Sequence, residues 1–449
     1  MSDARASGRA SLSGLRGAGR GLPPGFGVLW TTVAVDLLGF GIVVPLLPLY
    51  ARKLGAGPAS VGLLLAAFSA AQFVSAPLLG RLSDRVGRKP LLILSLAGTA
   101  AASLLTGVAG SLWLLMVARV LDGASGGSVA VAQASATDMV GPEDRVRMFG
   151  LLGAAYGVGF VIGPAIGGLA ALGGARIPFF VAAGIAGLNA AIAVRRLPET
   201  RRRSETLLLP EPLSLAETLP LAEKRTPGPG TSGASRERSS GSLRTMVSKI
   251  AVPATVTVLL IVSFSAFEAT FALFGQRRLG FGLASIGVVF AMVGVVAVVV
   301  QGGLVRPIAA RVGDAACLRI GLVTEAVGLL LLPTVHTRVD LVVPLLLVAA
   351  GQSLCTPALN ALVVARVAND EHGTALGAQQ GLSALARIIG PAIGGLSFEA
   401  LGVGAPFVEG GVALAVALVF SLVMRAGLTT SARMVVEAAP HRLPLGNNG

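Results

Sequence analysis

Residues 163–168 read Gly-Pro-Ala-Ile-Gly-Gly, and residues 390–395 read the same six again. Working outward, Ser60-Val61-Gly62 recurs as Ser285-Ile286-Gly287, and Arg85-Val86-Gly87 recurs as Arg311-Val312-Gly313. The three pairs stand in one order at offsets of 225, 226 and 227. Matches at nearly one offset mark a duplicated chain. The copies sit in long stretches without charge: Leu54–Gly80, Pro90–Ala118 and Met148–Ala175, then Leu279–Val305 and Leu341–Ala365. About 20 mostly apolar residues cross a bilayer as a helix. Splitting the apolar runs at Gly, Pro and Ser breaks predicts twelve spans, at 27–50, 59–80, 90–109, 112–134, 147–171, 176–194, 251–275, 283–305, 316–335, 340–364, 373–400 and 405–425.

The expected fold is therefore all-α and polytopic, with two pseudo-symmetric six-helix bundles. Residues 1–26 read as a disordered tail, 27–194 as the first bundle and 195–250 as a linker rich in Pro, Ser, Gly, Glu and Arg. Residues 251–425 read as the second bundle and 426–449 as a second tail.

Composition agrees. Of 449 residues, 53% are hydrophobic and only 13% charged, against roughly a quarter charged in a soluble domain. Two cysteines, Cys317 and Cys355, exclude a disulfide scaffold, and the 60 glycines have no collagen period. The net charge of +14 would suggest nucleic acid in a soluble chain, but its placement argues otherwise. Of 36 Lys and Arg, 28 fall in the tails and loops of one side, six fall on the other, and Arg119 and Arg387 lie inside spans. Cytoplasmic loops carry such an excess, so both termini are expected in the cytoplasm of a cell membrane, with no nucleic-acid partner. His336, His372 and His441 are scattered and no phosphate-cradling Gly-Lys-Ser/Thr loop occurs, so no metal, ATP or other cofactor is expected. Trp30 and Trp113 lie near span ends, as interface anchors do.

Several motifs resemble the major facilitator superfamily and, within it, the drug–proton antiporters that include the tetracycline exporters. The resemblance covers residues 27–425. Gly80-Arg-Leu-Ser83-Asp84-Arg85-Val-Gly87-Arg88-Lys89 is similar to the superfamily's signature between the second and third helices, with Ser83 where Ala or Gly is usual. Its second copy is degraded, with Ala310 opposite Asp84 and Asp314 opposite Arg88. Asp36-Leu-Leu-Gly39-Phe-Gly41-Ile-Val-Val-Pro45-Leu-Leu-Pro48 resembles the exporters' first-helix motif, and Arg119-Val-Leu-Asp122-Gly123 their fourth-helix motif. Gly150, Gly159, Gly163, Pro164, Gly167 and Gly168 resemble the fifth-helix antiporter motif, and the second copy has Ala386 opposite Gly159. The resemblance implies proton-coupled export of small amphipathic compounds, tetracycline-like or multidrug, by alternating access and without enzymatic chemistry.

Beside it stand the residues' own readings. A carboxylate such as Asp36 inside an apolar helix is costly when charged and usually functional; it is read as a proton carrier, or as a capped helix-end acid. Arg119 always carries its charge. It either tunes Asp36 or pairs with Asp122, which is expected near mid-depth three residues on. Glu268 stands among Phe264, Phe267, Phe271 and Phe274, a setting suited to a cationic substrate because ring faces attract cations, or else a packed core. Gln301, Gln352 and Asn360 are expected at the cavity or in interhelical hydrogen bonds, as are Glu325 and Gln379. Arg387 is read as a second unpaired cation. Gly80, Asp84, Arg85, Gly87, Arg88 and Lys89 are expected to form a charge latch in a tight loop, holding the outward-facing state. The partners expected are a small-molecule substrate, protons and the bilayer, around a monomer. An importer or uniporter on the same scaffold, and a non-transporting membrane sensor, are the rival readings.

Overall fold

Apolar runs this long leave the backbone one economical solution in lipid, the α-helix, in which every interior N–H meets a C=O of its own segment. A computed structural model describes residues 23, 25–140, 145–199, 232–367 and 372–437. Twelve helical stretches are long and apolar enough to cross a membrane, and no strand occurs among the described residues. The first bundle holds α1 (Phe26–Lys53), α2 (Pro58–Val86), α3 (Arg88–Val108), α4 (Leu112–Ser125) with α5 (Ser128–Asp138), α6 (Arg145–Ala170) and α7 (Ile177–Arg196). The second holds α8 (Ser232–Leu279), α9 (Leu283–Val299) with α10 (Val305–Val312), α11 (Asp314–Leu331), α12 (Val342–Val364), α13 (His372–Ala400) and α14 (Ala405–Glu437).

The helices depart from the expected boundaries where no breaker stands. Residues 1–22, 200–231 and 438–449 lie outside the described residues. The later part of the expected linker is helical, because no proline falls between Ser232 and Pro253 and α8 runs on through both. The second tail likewise continues α14 to Glu437. The fourth span is two helices, parted at Gly126-Gly127, which lie against Gln72 and Leu79 of α2. Carbonyls loosened by that break find donors on α2: Gln72 Nε2 gives a hydrogen bond to Gly126 O at 2.9 Å, and Ser75 Oγ one to Gly123 O at 3.2 Å. The eighth span carries a π-turn at Val300–Leu304, around Gly302-Gly303, before α10.

The repeat is visible in the backbone. Gly87 closes α2 and opens α3 with φ +117°, and Gly313 does the same between α10 and α11 with φ +80°. The bundles meet along two seams of small residues. On one, Gly395 and Pro391 of α13 face Pro58 and Gly62 of α2; on the other, Gly168 and Pro164 of α6 face Gly287 of α9, while Phe160 and Val161 face Gly294. Both seams lie away from the end that carries Arg85–Lys89, hereafter the basic end. In α2 seven residues from Pro58 to Phe68 are buried, and from Ser69 to Val86 only Ser83 is. In the eighth span burial ends at Val300, and α10 has no buried residue. The molecule is thus closed at one end and open toward the basic end.

Within the first bundle, Gly159, Gly163 and Gly167 form the stripe by which α6 meets α1. A Cβ on Gly163 would stand 2.7 Å from Leu38 O and 2.8 Å from the Cα of Gly41. Overpacking costs about 1–3 kcal/mol. Gly163→Val is expected to lower stability by about that amount, read as an earlier thermal transition of the purified protein in detergent.

Candidate functional site

Asp36 lies ten residues into α1, about 15 Å along the axis at about 1.5 Å per residue. Depth alone makes it a mid-membrane acid. Its Oδ2 accepts a hydrogen bond from Ser128 Oγ at 2.7 Å, while Oδ1 is buried with no partner among the described residues. Ser128 is the first residue of α5, so the Gly126-Gly127 break is what turns its hydroxyl toward α1. Arg119 is fully buried on α4 and pairs through Nη2 with Asp122 Oδ2. Its guanidinium also lies 5.3 Å from the centre of the Phe68 ring, an attraction that holds a cation without neutralising it. Arg119 Nε and Nη1 have no hydrogen-bond partner among the described residues. Of the two readings of Arg119, the geometry realises the pair with Asp122. Asp122 in turn acts electrostatically on Asp36. Two carboxylates and one guanidinium thus share one buried region, with Phe40, Phe68 and Phe160 in edge and tilted contact across α1, α2 and α6.

The signature at the basic end is not a loop. Asp84 and Arg85 are in the last turn of α2, Arg88 and Lys89 in the first of α3, and Gly87 alone interrupts them. Gly80 is an ordinary helical residue with open space around it. Arg88 is the hub: it meets Asp84 at 2.7 Å, Asp138 of α5 at 2.9 Å and Ser83 Oγ at 2.6 Å. Ser83, the departure from the family pattern, is therefore put to use. Beyond α7, Glu199 accepts from the backbone N–H of Arg88 at 2.9 Å and of Lys89 at 3.2 Å, satisfying donors that open α3. Apart from Glu199, just beyond α7, these partners all belong to the first bundle.

In the second bundle the acid and the aromatics separate onto different faces. Phe267, Phe271 and Phe274 are fully buried and stack with Phe290 and Phe407. Their spacing of four and three residues points them at α9 and α14. Phe271 is thus core in this state, not lining. Glu268 is half-buried with Phe264 one turn below it. Arg387, expected to be unpaired, is exposed and makes no ion pair among the described residues; its charge bears on Glu268 through space. Gln352 is half-buried, and Gln301 and Asn360 are exposed, Gln301 within the π-turn. Glu325 is fully buried against Gly351. Gln379 Nε2 donates to Thr257 Oγ1 at 3.2 Å. Gly150 lies in α6, its surroundings outside the described residues. Trp113 is 75% exposed, as an interface anchor should be, whereas Trp30 is half-buried and donates to Leu151 O at 2.7 Å, tying α1 to α6.

Residues 29–314 and 302–442 match the family model of the Major Facilitator Superfamily. The chain belongs to this superfamily. It is 31% identical over 366 residues to the class E tetracycline resistance protein of Escherichia coli, covering 80% of this chain and 84% of that one. It is 26% identical over 400 residues to Multidrug resistance protein 1 of Bacillus subtilis (strain 168), covering 89% and 96%. Among solved structures, the human organic anion transporter MFSD10 (TETRAN) superposes with a TM-score of 0.63 at 25% identity, over 89% of this chain and 100% of that one. The nucleoside transporter NupG, with a TM-score of 0.67 at 13% identity over 90% and 98%, shares the fold. The chain is accordingly a multi-pass membrane transporter of the drug-efflux branch of the superfamily, not an enzyme.

Sequence reasoning missed four parts of this transporter's central site. Ser128, Gln72 and Phe68 carry no charge and no motif; the Gly-Gly pair at 126–127, inside an apolar run, was the available signal for a helix break. Phe160, uncharged and set between motif glycines, carries no signal of its own. Removing one partner of a buried ion pair costs about 3–5 kcal/mol, whereas apolar replacement of both is often neutral. Asp122→Ala is expected to cost about 3–5 kcal/mol, and Arg119→Met with Asp122→Leu to recover most of it, in thermal unfolding of the micellar protein.

Proposed function

We propose that the protein is a proton-coupled antiporter that exports small amphipathic compounds, tetracycline-like or multidrug, across a bacterial cell membrane. The observation that carries this reading is the charge imbalance around Arg119. One guanidinium engages Asp122 and leaves Asp36 with a single neutral donor, Ser128. Two acids cannot both be neutralised by one cation, so the second takes a proton or a cationic cargo, and which it takes depends on the side to which the cavity opens. Relatives named for tetracycline and multidrug resistance support the substrate class.

The basic end is the cytoplasmic one on this reading, in keeping with the preference of Lys and Arg for cytoplasmic loops, and the state described is inward-facing. In it Asp36 releases its proton to the cytoplasm and cargo enters. Glu268 and Phe264 receive the cationic, apolar part, with Arg387 opposite in charge beside them, and Gln301, Gln352 and Asn360 offer polar contacts. The bundles then rock about the glycine seams, cargo leaves outside, and Asp36 takes a proton there before the return. The Arg88 network holds the ends of α2, α3 and α5 as one body while they move, and acts as a latch in the outward-facing state. The monomer suffices and no cofactor takes part.

The test is a substrate-dependent pH change across proteoliposome membranes. The wild type should move protons against cargo, and Asp36→Asn should lose gradient-driven accumulation at least about tenfold, a loss of about 1.4 kcal/mol of coupling. Unchanged accumulation in Asp36→Asn would remove the central role of that acid. Glu268→Gln should raise the KM severalfold for cationic compounds and leave neutral ones unaffected.

A further inference from the structure

The helix α2 begins without a cap of its own. Its N-cap residue is Gly57, which has no side chain, and its first residue is Pro58, which has no N–H. The first orphan donor is therefore the N–H of Ala59. It gives a 2.9 Å hydrogen bond to Glu399 Oε2, a carboxylate 340 residues away in the last turn of α13 and in the other bundle. Glu399 stands one turn beyond Gly395, whose Cα packs on Gly62 at the seam; a Cβ on Gly395 would meet Pro58 O at 2.6 Å. A carboxylate at this point satisfies an orphan N–H and complements the positive end of the helix dipole.

The repeat shows that packing does not require this acid. The α6–α9 seam is built in the same way, Gly168 on Gly287, and α9 also starts from an uncapped glycine, Gly282. At the offset of 227 that relates Gly168 to Gly395, the residue matching Glu399 is Leu172, which is 74% exposed. One seam carries a polar bond between the bundles where its twin carries none among the described residues.

We infer that Glu399 is a clasp: it lends α2 its N-cap from the opposite bundle and so biases the transporter toward closure at this end. Opening the α2–α13 seam must break the bond and return both groups to water, so the cap is present in one state of the cycle and absent in the other. Glu399 is a positioning residue, remote from the Asp36 region. The inference rests on alternating access, the motion assumed in the proposed function, but needs neither the proton nor the substrate assigned there.

The test places spin labels at Lys53→Cys and Leu401→Cys, exposed positions on the two bundles at the closed end, in full-length protein whose Cys317 and Cys355 are replaced by alanine, reconstituted in nanodiscs. Pulsed electron–electron distances then report the ratio of open to closed molecules. Glu399→Ala should raise that ratio about fivefold, the scale of one lost helix cap. Glu399→Gln, which keeps shape and an acceptor oxygen but loses the charge, should shift it in the same direction by less, and carries the test alone if the alanine variant does not fold. Distance distributions of both variants that superimpose on the parent would overturn the clasp. That result would leave the proton-flux test of Asp36 unaffected, so the two failures are distinguishable.

Discussion

A guanidinium buried in a membrane cannot discard its proton, and the central site is organised around that fact. Arg119 has no exposed surface, and a lone charge in such a place costs several kcal/mol even after relaxation. The fold answers with Asp122 one turn away and with the face of Phe68. The first of these uses up what Asp36 would otherwise have had as a counter-charge. Asp36 is left with the hydroxyl of Ser128, which donates one bond and no charge. The imbalance that makes Asp36 a carrier follows from the stability requirement of its neighbour.

The same requirement that buried polar groups be satisfied explains the helix break beside it. Gly126 and Gly127 interrupt the fourth span, and an interruption inside lipid frees carbonyls that water cannot reach. Gln72 and Ser75 supply the missing donors. The break is therefore affordable only because α2 lies against it, and the contact that permits the break also fixes where Ser128 points. A substitution at Gln72 would act on Asp36 through two intervening hydrogen bonds without touching it.

Much of this could be read from the chain before any coordinates. Apolar run length gave twelve spans, because that signal is summed over many residues and survives local error. The repeat was legible because glycine at a helix crossing and glycine at a positive φ, as at Gly87 and Gly313, have no substitutes. What failed was pairing. Helical spacing placed Phe271 beside Glu268, but it could not tell which edge of that shared side is core, and the packing of α9 and α14 decides it. The signature at 80–89 read as a loop because charge and glycine cluster there, yet a charged helix end saturated by Asp84, Asp138 and Glu199 needs only one residue of turn. Arg387 makes no ion pair among the described residues; its charge bears on Glu268, more than a hundred residues away in the chain, only through space.

The duplication also separates what is mechanical from what is chemical. Glycine seams, positive-φ hinges and stripes of small residues occur in both halves, at matching positions, since rocking two bodies past each other requires close backbones on both sides of the axis. Apart from Arg85 and Arg311, the charges of the signature do not follow the symmetry. At the repeat offsets Asp84 matches Ala310, Glu399 matches Leu172, and Arg88 matches Asp314. A motion shared equally by two halves has no direction; the direction must come from groups present in one half only. The positions without a match in the other half, and not the repeated ones, are therefore where a bias between the two end states is built into this chain.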